Sequence, residues 1–245
     1  INAALCLPLL PLLCSFGSIW AQKRLGNARF PLDPSIHTGK LANGIAYYIV
    51  EDKSSPGEVV VQYITRSGAA NDKSPEAAHI LEHILARKSS DIPINNHIIN
   101  AVTRPDATYY RYQLGSAEGQ VMEALMTFRK WMDQKANISN GVFSTEKSVV
   151  REEYRMKAFR NPAEAELMEF FFQGSMVPKQ KMKRDMELTT VAHVMDFYRR
   201  WYHPRYSAVT IVGDVKRSDA EKWIKQTFAG LAAGSVSEAN SVAMV

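Results

Sequence analysis

The sequence predicts an α+β fold, and three observations support this class. Strand-like and helix-like segments are mixed along the 245 residues without strict alternation and without an internal repeat. Hydrophobic residues make up 46% of the chain and charged residues 22%, a globular balance that excludes disordered, collagen-like and coiled-coil classes. The length suffices for a sizeable hydrophobic core, so folding requires no disulfide or metal staple.

Residues 1–21 predict a secretory signal peptide whose front is clipped. They carry no charge, and the apolar run over residues 3–13 has the length of a signal-peptide core but is too short to span a bilayer. Ala21 is a small residue suited to precede a cleavage point. Cys14 leaves a lipid anchor as an alternative, which the large residues before it disfavour. We therefore expect export to the periplasm or the extracellular space, with no membrane span.

The remaining composition indicates no nucleic-acid partner. The formal net charge of +5 is mild, and a solvated basic surface accounts for it without any nucleic-acid-binding motif. Both cysteines, Cys6 and Cys14, fall inside the predicted leader, which excludes a disulfide scaffold and a multi-cysteine zinc module.

The rest of the chain predicts one domain over residues 30–231, with a linker or frayed tail at 232–245. Asn43-Gly44 favours a hairpin turn before the first strand. Apolar or alternating runs predict strands at Ile45–Val50, Glu58–Arg66, Thr108–Leu114 and Ala208–Val212. Both faces of the second strand are largely apolar, which predicts a central place in the sheet. Ala117–Ala136 is amphipathic and predicts a helix. Further helices are predicted at 74–87, Val142–Phe159, Pro162–Phe172, from a cap at Thr189 or Thr190 to Trp201, and Ser218–Phe228.

The first helix is predicted to begin at Ser74-Pro75-Glu76. Serine is a common N-cap, and proline suits the first helical position, where its missing N–H would have no partner.

This helix carries the chemistry of the sequence, in His79-Ile-Leu-Glu82-His83. His79 and His83 are one turn apart on one face, and Glu82 lies within about 60° of His79. Two imidazoles at this spacing can bind one zinc ion, and a carboxylate beside them can take a proton from metal-bound water. A polar surface face that happens to hold two histidines is the alternative, because so short a pattern arises by chance.

Glu146 and Glu153, on the second long helix, are candidates to complete the site. Seven residues apart, they share one helix face, while Glu152 points about 100° away and Val149 and Val150 mark the buried side. Catalytic zinc takes a third protein ligand, so we interpret Glu153 as that ligand and Glu146 as a carboxylate that steadies a ligating histidine. An exposed acidic stretch is the alternative.

These motifs resemble the pitrilysin/insulinase family of zinc metallopeptidases, which includes the mitochondrial processing peptidase. The inverted His-x-x-Glu-His pattern is that family's signature, and Glu146 and Glu153 match its second motif in spacing. The resemblance covers roughly residues 30–231 and is closest to secreted bacterial members. Further matching segments are Leu32–Pro34, Gly39–Tyr48, Asn100–Thr103, Asp106–Tyr109, Phe197–Pro204 and Val212–Val215.

The resemblance implies a fold and a reaction. The fold is one half of a pitrilysin-type metallopeptidase, a mixed and mostly antiparallel sheet packed against helices. One Zn²⁺ per chain is held by His79, His83 and Glu153, with Glu82 as general base and Glu146 in support. The chain is then the catalytic half of an endopeptidase that hydrolyses short or unfolded peptides with metal-activated water.

The resemblance also implies partners. A peptide substrate would add as a strand along four residues, Asn100, Ala101, Val102 and Thr103. An ordinary edge strand is the alternative for this segment. Active family members pair two homologous halves, so a second pitrilysin-like half is expected in cis or in trans. The alternative function is a non-catalytic structural or regulatory subunit of such a complex.

Three segments depart from the family pattern. Glu76 stands three residues before the first histidine, where the family has glycine. Arg87-Lys88-Ser89-Ser90 replaces a Gly-Thr turn, and Pro178 among lysines is what remains of an Arg-Pro-Gly segment. These departures leave the predicted zinc ligands intact and bear on substrate fit and turnover.

Overall fold

The computed structural model describes residues 31–90, 99–135, 138–160 and 186–234. The chain divides into two units after Asp33, and every element named below belongs to the second unit, Pro34–Val245. The predicted signal peptide, the predicted helix at Pro162–Phe172, the lysine-rich segment around Pro178 and most of the tail at 232–245 lie outside the described residues.

Within the described residues, the strands form one mixed sheet. They are β1 (His37–Lys40), β2 (Ala46–Glu51), β3 (Glu58–Thr65), β4 (Ile99–Thr103), β5 (Thr108–Gly115) and β6 (Ser207–Gly213). Their order is β1-β2-β6-β3-β5-β4, and every neighbouring pair is antiparallel except β2 and β6. The predicted α+β class with a mixed, mostly antiparallel sheet is confirmed.

The helices follow the predicted segments closely. They are α1 (Ala77–Ser90), α2 (Glu118–Met132), α3 (Asn140–Arg160), α4 (Val191–Trp201) and α5 (Arg217–Phe228). α2 ends four residues before the predicted Ala136, since Gln134 takes a left-handed φ of 54°. α1 runs past the predicted Arg87 because neither glycine nor proline interrupts it before Ser90. None of the helices in the described ranges is both long and apolar enough to cross a membrane.

β3 lies at the centre of the sheet, between β5 and β6, as its two apolar faces predicted. The ring of Tyr63 on β3 is completely buried and contacts the rings of Tyr110, Phe128, Trp131 and Tyr202. This aromatic cluster joins β3 and β5 to α2 and to the segment that follows α4. Such rings bury large apolar areas and fix the helices against the sheet.

α1 begins differently from the sequence prediction. Glu76 has a φ of 65°, outside the helical region, so Pro75 cannot occupy the first helical position. The free amides of the first turn are satisfied by Asp72 and not by the side chain of Ser74, since Asp72 Oδ1 accepts a hydrogen bond from the backbone N–H of Ala78 at 2.9 Å.

α1 packs against β4, α3 and α4, and its apolar side is completely buried. The fully buried side chains are Ala78, Ile80, Leu81, Ile84 and Leu85. The opposite side of the helix, with its histidines, consequently faces a cleft between β4 and α3.

Candidate metal centre

Two histidines of α1 and one glutamate of α3 converge in this cleft. The Nε2 atoms of His79 and His83 are 3.3 Å apart. Glu153 Oε1 lies 3.2 Å from His83 Nε2, and Glu153 Oε2 lies 3.7 Å from His79 Nε2. One ligand atom from each of the three residues lies within 4.8 Å of the others. The packing of α1 against α3 brings these distant residues together.

The donor set and its distances fit a tetrahedral zinc ion. Two imidazole nitrogens that each bind zinc at about 2.0–2.1 Å lie about 3.3 Å apart in tetrahedral geometry. The observed separation of Nε2 atoms, 3.3 Å, matches this value. Two histidines with one carboxylate are also the ligands of one class of catalytic zinc sites, which keep a fourth position open.

A carboxylate faces the other nitrogen of each imidazole. His79 Nδ1 lies 3.0 Å from Glu76 Oε2, and His83 Nδ1 lies 3.6 Å from Glu146 Oε2. Glu146 is buried, and its Oε1 accepts a hydrogen bond from Arg87 Nη1 at 2.5 Å. A carboxylate at Nδ1 leaves Nε2 as the free ligand atom, so both rings present Nε2 to the shared position.

Glu82 is buried on the same face of α1. Its Oε2 accepts a hydrogen bond from the hydroxyl of Thr103 on β4 at 3.0 Å. Burial raises the pKa of the Glu82 carboxyl above its usual range, and the positive charges of His79 and His83 oppose this shift. A carboxyl group with a raised pKa is well suited to accept and return a proton near neutral pH.

Two clefts flank the converging residues. One, of about 300 Å³, is lined by His79, Arg104 and Tyr154 among others. The second, of about 380 Å³, is lined by Arg87 and Asn100 among others. Four residues line both clefts: Glu82, His83, Ala101 and Glu153. The site therefore lies where the two clefts meet, beside β4.

The four predicted substrate-binding residues belong to β4, at the edge of the described sheet. On its described side β4 pairs with β5. Asn100 and Val102 are exposed, Ala101 and Thr103 are partly buried, and all four line one or both clefts. Only the Thr103 side chain reaches a residue of the site, through its hydrogen bond to Glu82, a role that the strand pattern did not indicate.

Other details of α3 differ from the sequence prediction or were missed by it. Val150 is completely buried, but Val149 is 40% exposed, so the buried side is rotated from the one predicted. Glu152 points away from the site and pairs with Arg155. Tyr154, which the sequence analysis did not single out, donates a hydrogen bond to Glu76 and lines a cleft.

Comparison with known proteins gives one family match and several relatives. The family model described as "Peptidase M16 inactive domain" matches residues 189–242. "Probable zinc protease PqqL" of Haemophilus influenzae is 28% identical over 226 residues, which are 82% of this chain and 24% of that protein. The chain spans about a quarter of the length of this relative and of its Escherichia coli counterpart.

Two solved structures share the fold. The periplasmic protease PqqL from Escherichia coli superposes with a TM-score of 0.74 at 22% identity, covering 86% of this chain and 25% of that one. A structure of the first half of the same protease gives a TM-score of 0.71 at 22% identity, covering 86% of this chain and 49% of that one. The segment matched by the family model lies C-terminal to all the converging residues.

Proposed function

We propose, from the premise that the chain belongs to the pitrilysin (M16) family of zinc metallopeptidases, that it is the catalytic unit of a zinc-dependent endopeptidase. The observation that carries this proposal is the convergence of His79, His83 and Glu153 on one position, with Glu82 buried beside them.

The residues of the site divide the chemistry between them. His79, His83 and Glu153 would hold one zinc ion, which when bound supplies an acidified water and polarises a substrate carbonyl. Glu82 takes a proton from the attacking water and delivers it to the amine that leaves. The hydroxyl of Thr103 holds the Glu82 carboxylate by a hydrogen bond. Glu146 faces Nδ1 of His83, on the side of the ring away from the metal position. Arg87 holds the Glu146 carboxylate in place by a hydrogen bond.

The substrate binds as an added strand on β4. The residues that present the edge are Asn100, Ala101, Val102 and Thr103. Backbone hydrogen bonds along a sheet edge give affinity with little dependence on sequence. A peptide must be extended to bind in this way, so the proposed substrates are short or unfolded peptides.

The chain acts as part of a larger assembly. It spans about a quarter of the length of PqqL from Haemophilus influenzae and 49% of the first half of the Escherichia coli protease. We propose that further homologous units, in the same polypeptide or in a partner subunit, complete the substrate chamber. The protein is exported to the periplasm or the extracellular space. Support comes from the leader-like residues 1–21 and from the periplasmic relative in Escherichia coli.

A non-catalytic subunit is the second candidate. The observation in its favour is that the matching family model is described as an inactive domain. That match covers residues 189–242, which include none of the ligands and not Glu82. A scaffold needs neither a general base nor a complete ligand set, so their presence favours the enzyme.

A zinc analysis combined with Glu82→Gln tests the proposal. The chain should bind about one zinc ion, and Glu82→Gln should keep the zinc while peptide cleavage by the complete protein falls about 10²–10⁴-fold. Glu152→Gln is the matched control, because Glu152 is the exposed neighbour of Glu153 and pairs with Arg155 instead of facing the site; it should change neither zinc content nor cleavage. The chain on its own should cleave poorly.

Each outcome of this experiment has a meaning. A chain without zinc at neutral pH would contradict the ligand assignment. Cleavage by Glu82→Gln at the wild-type rate would contradict the role of Glu82. Zinc binding without any cleavage by the complete protein would favour the non-catalytic subunit.

A further inference from the structure

Glu76 combines two unfavourable features immediately before α1. Its φ of 65° lies in the left-handed region, which glycine adopts freely and which costs other residues about 1–2 kcal/mol. Glu76 is also only 4% exposed, and burial of a carboxylate costs free energy unless the carboxylate is paired and hydrogen-bonded. A glutamate that only shaped the turn would bear both costs without a gain.

Both carboxylate oxygens of Glu76 have partners at the metal centre. Oε2 lies 3.0 Å from Nδ1 of His79, and Oε1 accepts a hydrogen bond from the hydroxyl of Tyr154 at 2.8 Å. Tyr154 follows Glu153 on α3 and is itself partly buried. The ring of Tyr154 also meets the ring of His79 edge-on, with centroids 6.2 Å apart. Glu76 thus contacts His79, which is a predicted ligand, and Tyr154, which follows the predicted ligand Glu153.

We infer that Glu76 is a positioning residue for His79 and that the strained turn exists to place its carboxylate there. This inference rests on the proposed function. A carboxylate at Nδ1 fixes the imidazole as the tautomer whose Nε2 is the metal donor and strengthens that nitrogen as a ligand. Tyr154 donates a hydrogen bond to the other carboxylate oxygen, so the ring of His79 cannot rotate without breaking a partly buried hydrogen bond to a carboxylate that is held in place.

The two histidines are therefore supported from different elements. Glu146, on α3, lies 3.6 Å from His83 Nδ1, while Glu76, on the turn before α1, lies 3.0 Å from His79 Nδ1. The contact of Glu76 is within hydrogen-bond distance and that of Glu146 is longer. We expect the loss of the Glu76 carboxylate to weaken zinc binding substantially, since removal of such supporting partners reduces metal affinity about 10–100-fold.

Glu76→Gly separates positioning from folding. Glycine relieves the left-handed backbone, so the metal-free variant should unfold at a temperature close to or above that of the wild type. The same variant removes the carboxylate, so its zinc affinity should fall about 10–100-fold. Glu76→Gln keeps a hydrogen-bond acceptor for Nδ1 without the charge and should recover much of the affinity. Glu152→Gln, at an exposed glutamate of α3, should match the wild type.

The experiment measures zinc affinity of the four chains at neutral pH by competition with a chromophoric chelator. Thermal unfolding of the metal-free chains and ¹⁵N spectra of the histidine rings accompany it. The expected ¹⁵N result is that His79 holds its proton on Nδ1 in the metal-free wild type and populates both tautomers in Glu76→Gly.

Three results would overturn the inference. Glu76→Gly that binds zinc within about twofold of the wild type would show that the carboxylate does not support the ligand. Zinc affinity that falls equally in Glu76→Gly and Glu76→Gln, with a matching loss of thermal stability, would assign Glu76 to folding alone. A wild-type chain without zinc would overturn the proposed function and this inference together, whereas the first two results leave the proposed function standing.

Discussion

Thr103→Val is the sharpest test of how β4 serves the general base. Valine has nearly the shape of threonine but lacks the hydroxyl that donates to Glu82 Oε2 at 3.0 Å. The backbone of Thr103, which pairs with Thr108 of β5, is unchanged by the substitution. The variant therefore removes one hydrogen bond from the carboxylate and leaves the edge strand in place.

The expected magnitude follows from the type of hydrogen bond. A hydrogen bond to a charged group contributes about 1.5–3 kcal/mol. Water in the cleft of about 300 Å³ can replace part of this interaction, which favours the lower end. Because the bond stabilises the ionised form, its loss should raise the pKa of Glu82 further.

The assay is the pH dependence of kcat/KM for the complete protein with a quenched fluorescent peptide. The acid limb for Thr103→Val should move to higher pH, so that kcat/KM at a fixed pH on that limb falls about tenfold, with KM and the rate above the new pKa nearly unchanged. Thr103→Ser keeps the hydroxyl and is the matched control. Its acid limb should coincide with that of the wild type. Zinc content should be equal in all three proteins.

Two outcomes would refute this reasoning. If the acid limb of Thr103→Val coincides with that of the wild type, the hydroxyl does not stabilise the Glu82 carboxylate. If KM rises about tenfold while the limb stays in place, the hydroxyl contacts the substrate and not the general base.

Three further predictions concern stability. The buried hydroxyls of Tyr110 and Tyr202 are 2.6 Å apart. Tyr202→Phe should lower the free energy of unfolding by about 1–3 kcal/mol in a denaturant titration. The double variant with Phe at both positions should lower it by less than the sum of the two single variants. Hydrogen bonds from Lys225 and Tyr47 lower the pKa of Glu221 to about 2. Its stabilisation is therefore complete above about pH 4.5 and lost as the pH falls towards 2, so Glu221→Gln should flatten stability across that window; an unchanged acid dependence would contradict this. Removal of zinc by a chelator should lower the unfolding temperature, because a ligand at about 1,000 times its Kd stabilises the native state by about 4 kcal/mol. Identical melting curves with and without the chelator would argue against a bound ion.

The sequence predicted those parts of the fold that local patterns encode. The two apolar faces of the second strand correctly indicated the centre of the sheet, now β3. The parallel pairing of β2 with β6 joins residues more than 150 positions apart, which no local pattern encodes. The sequence of β1, His-Thr-Gly-Lys, has no alternation of apolar and polar residues, so only the turn after it was evident.

At the site, the spacing of residues along the sequence predicted which side chains share a helix face, but not how α1, α3 and β4 pack against one another. The seven-residue separation of Glu146 and Glu153 predicted a shared face of α3, and in the structure both carboxylates lie beside the histidines of α1. The left-handed φ of Glu76 depends on its buried partners, so the sequence predicted a helix start that its backbone excludes. The contact between Thr103 and Glu82 needs β4 to lie against α1, which is a tertiary contact.

The charge balance of the centre favours a bound cation over a polar surface face, the alternative that the spacing of two histidines left open. Glu76, Glu82 and Glu146 are only 4%, 6% and 5% exposed, and Glu153 joins them at the same site. Arg87 pairs with Glu146. Protonated histidines could offset the remaining charge, but only by losing their capacity to bind a metal. A divalent cation offsets it while both imidazoles stay neutral, and a solvated surface would have no reason to bury three carboxylates around two imidazoles.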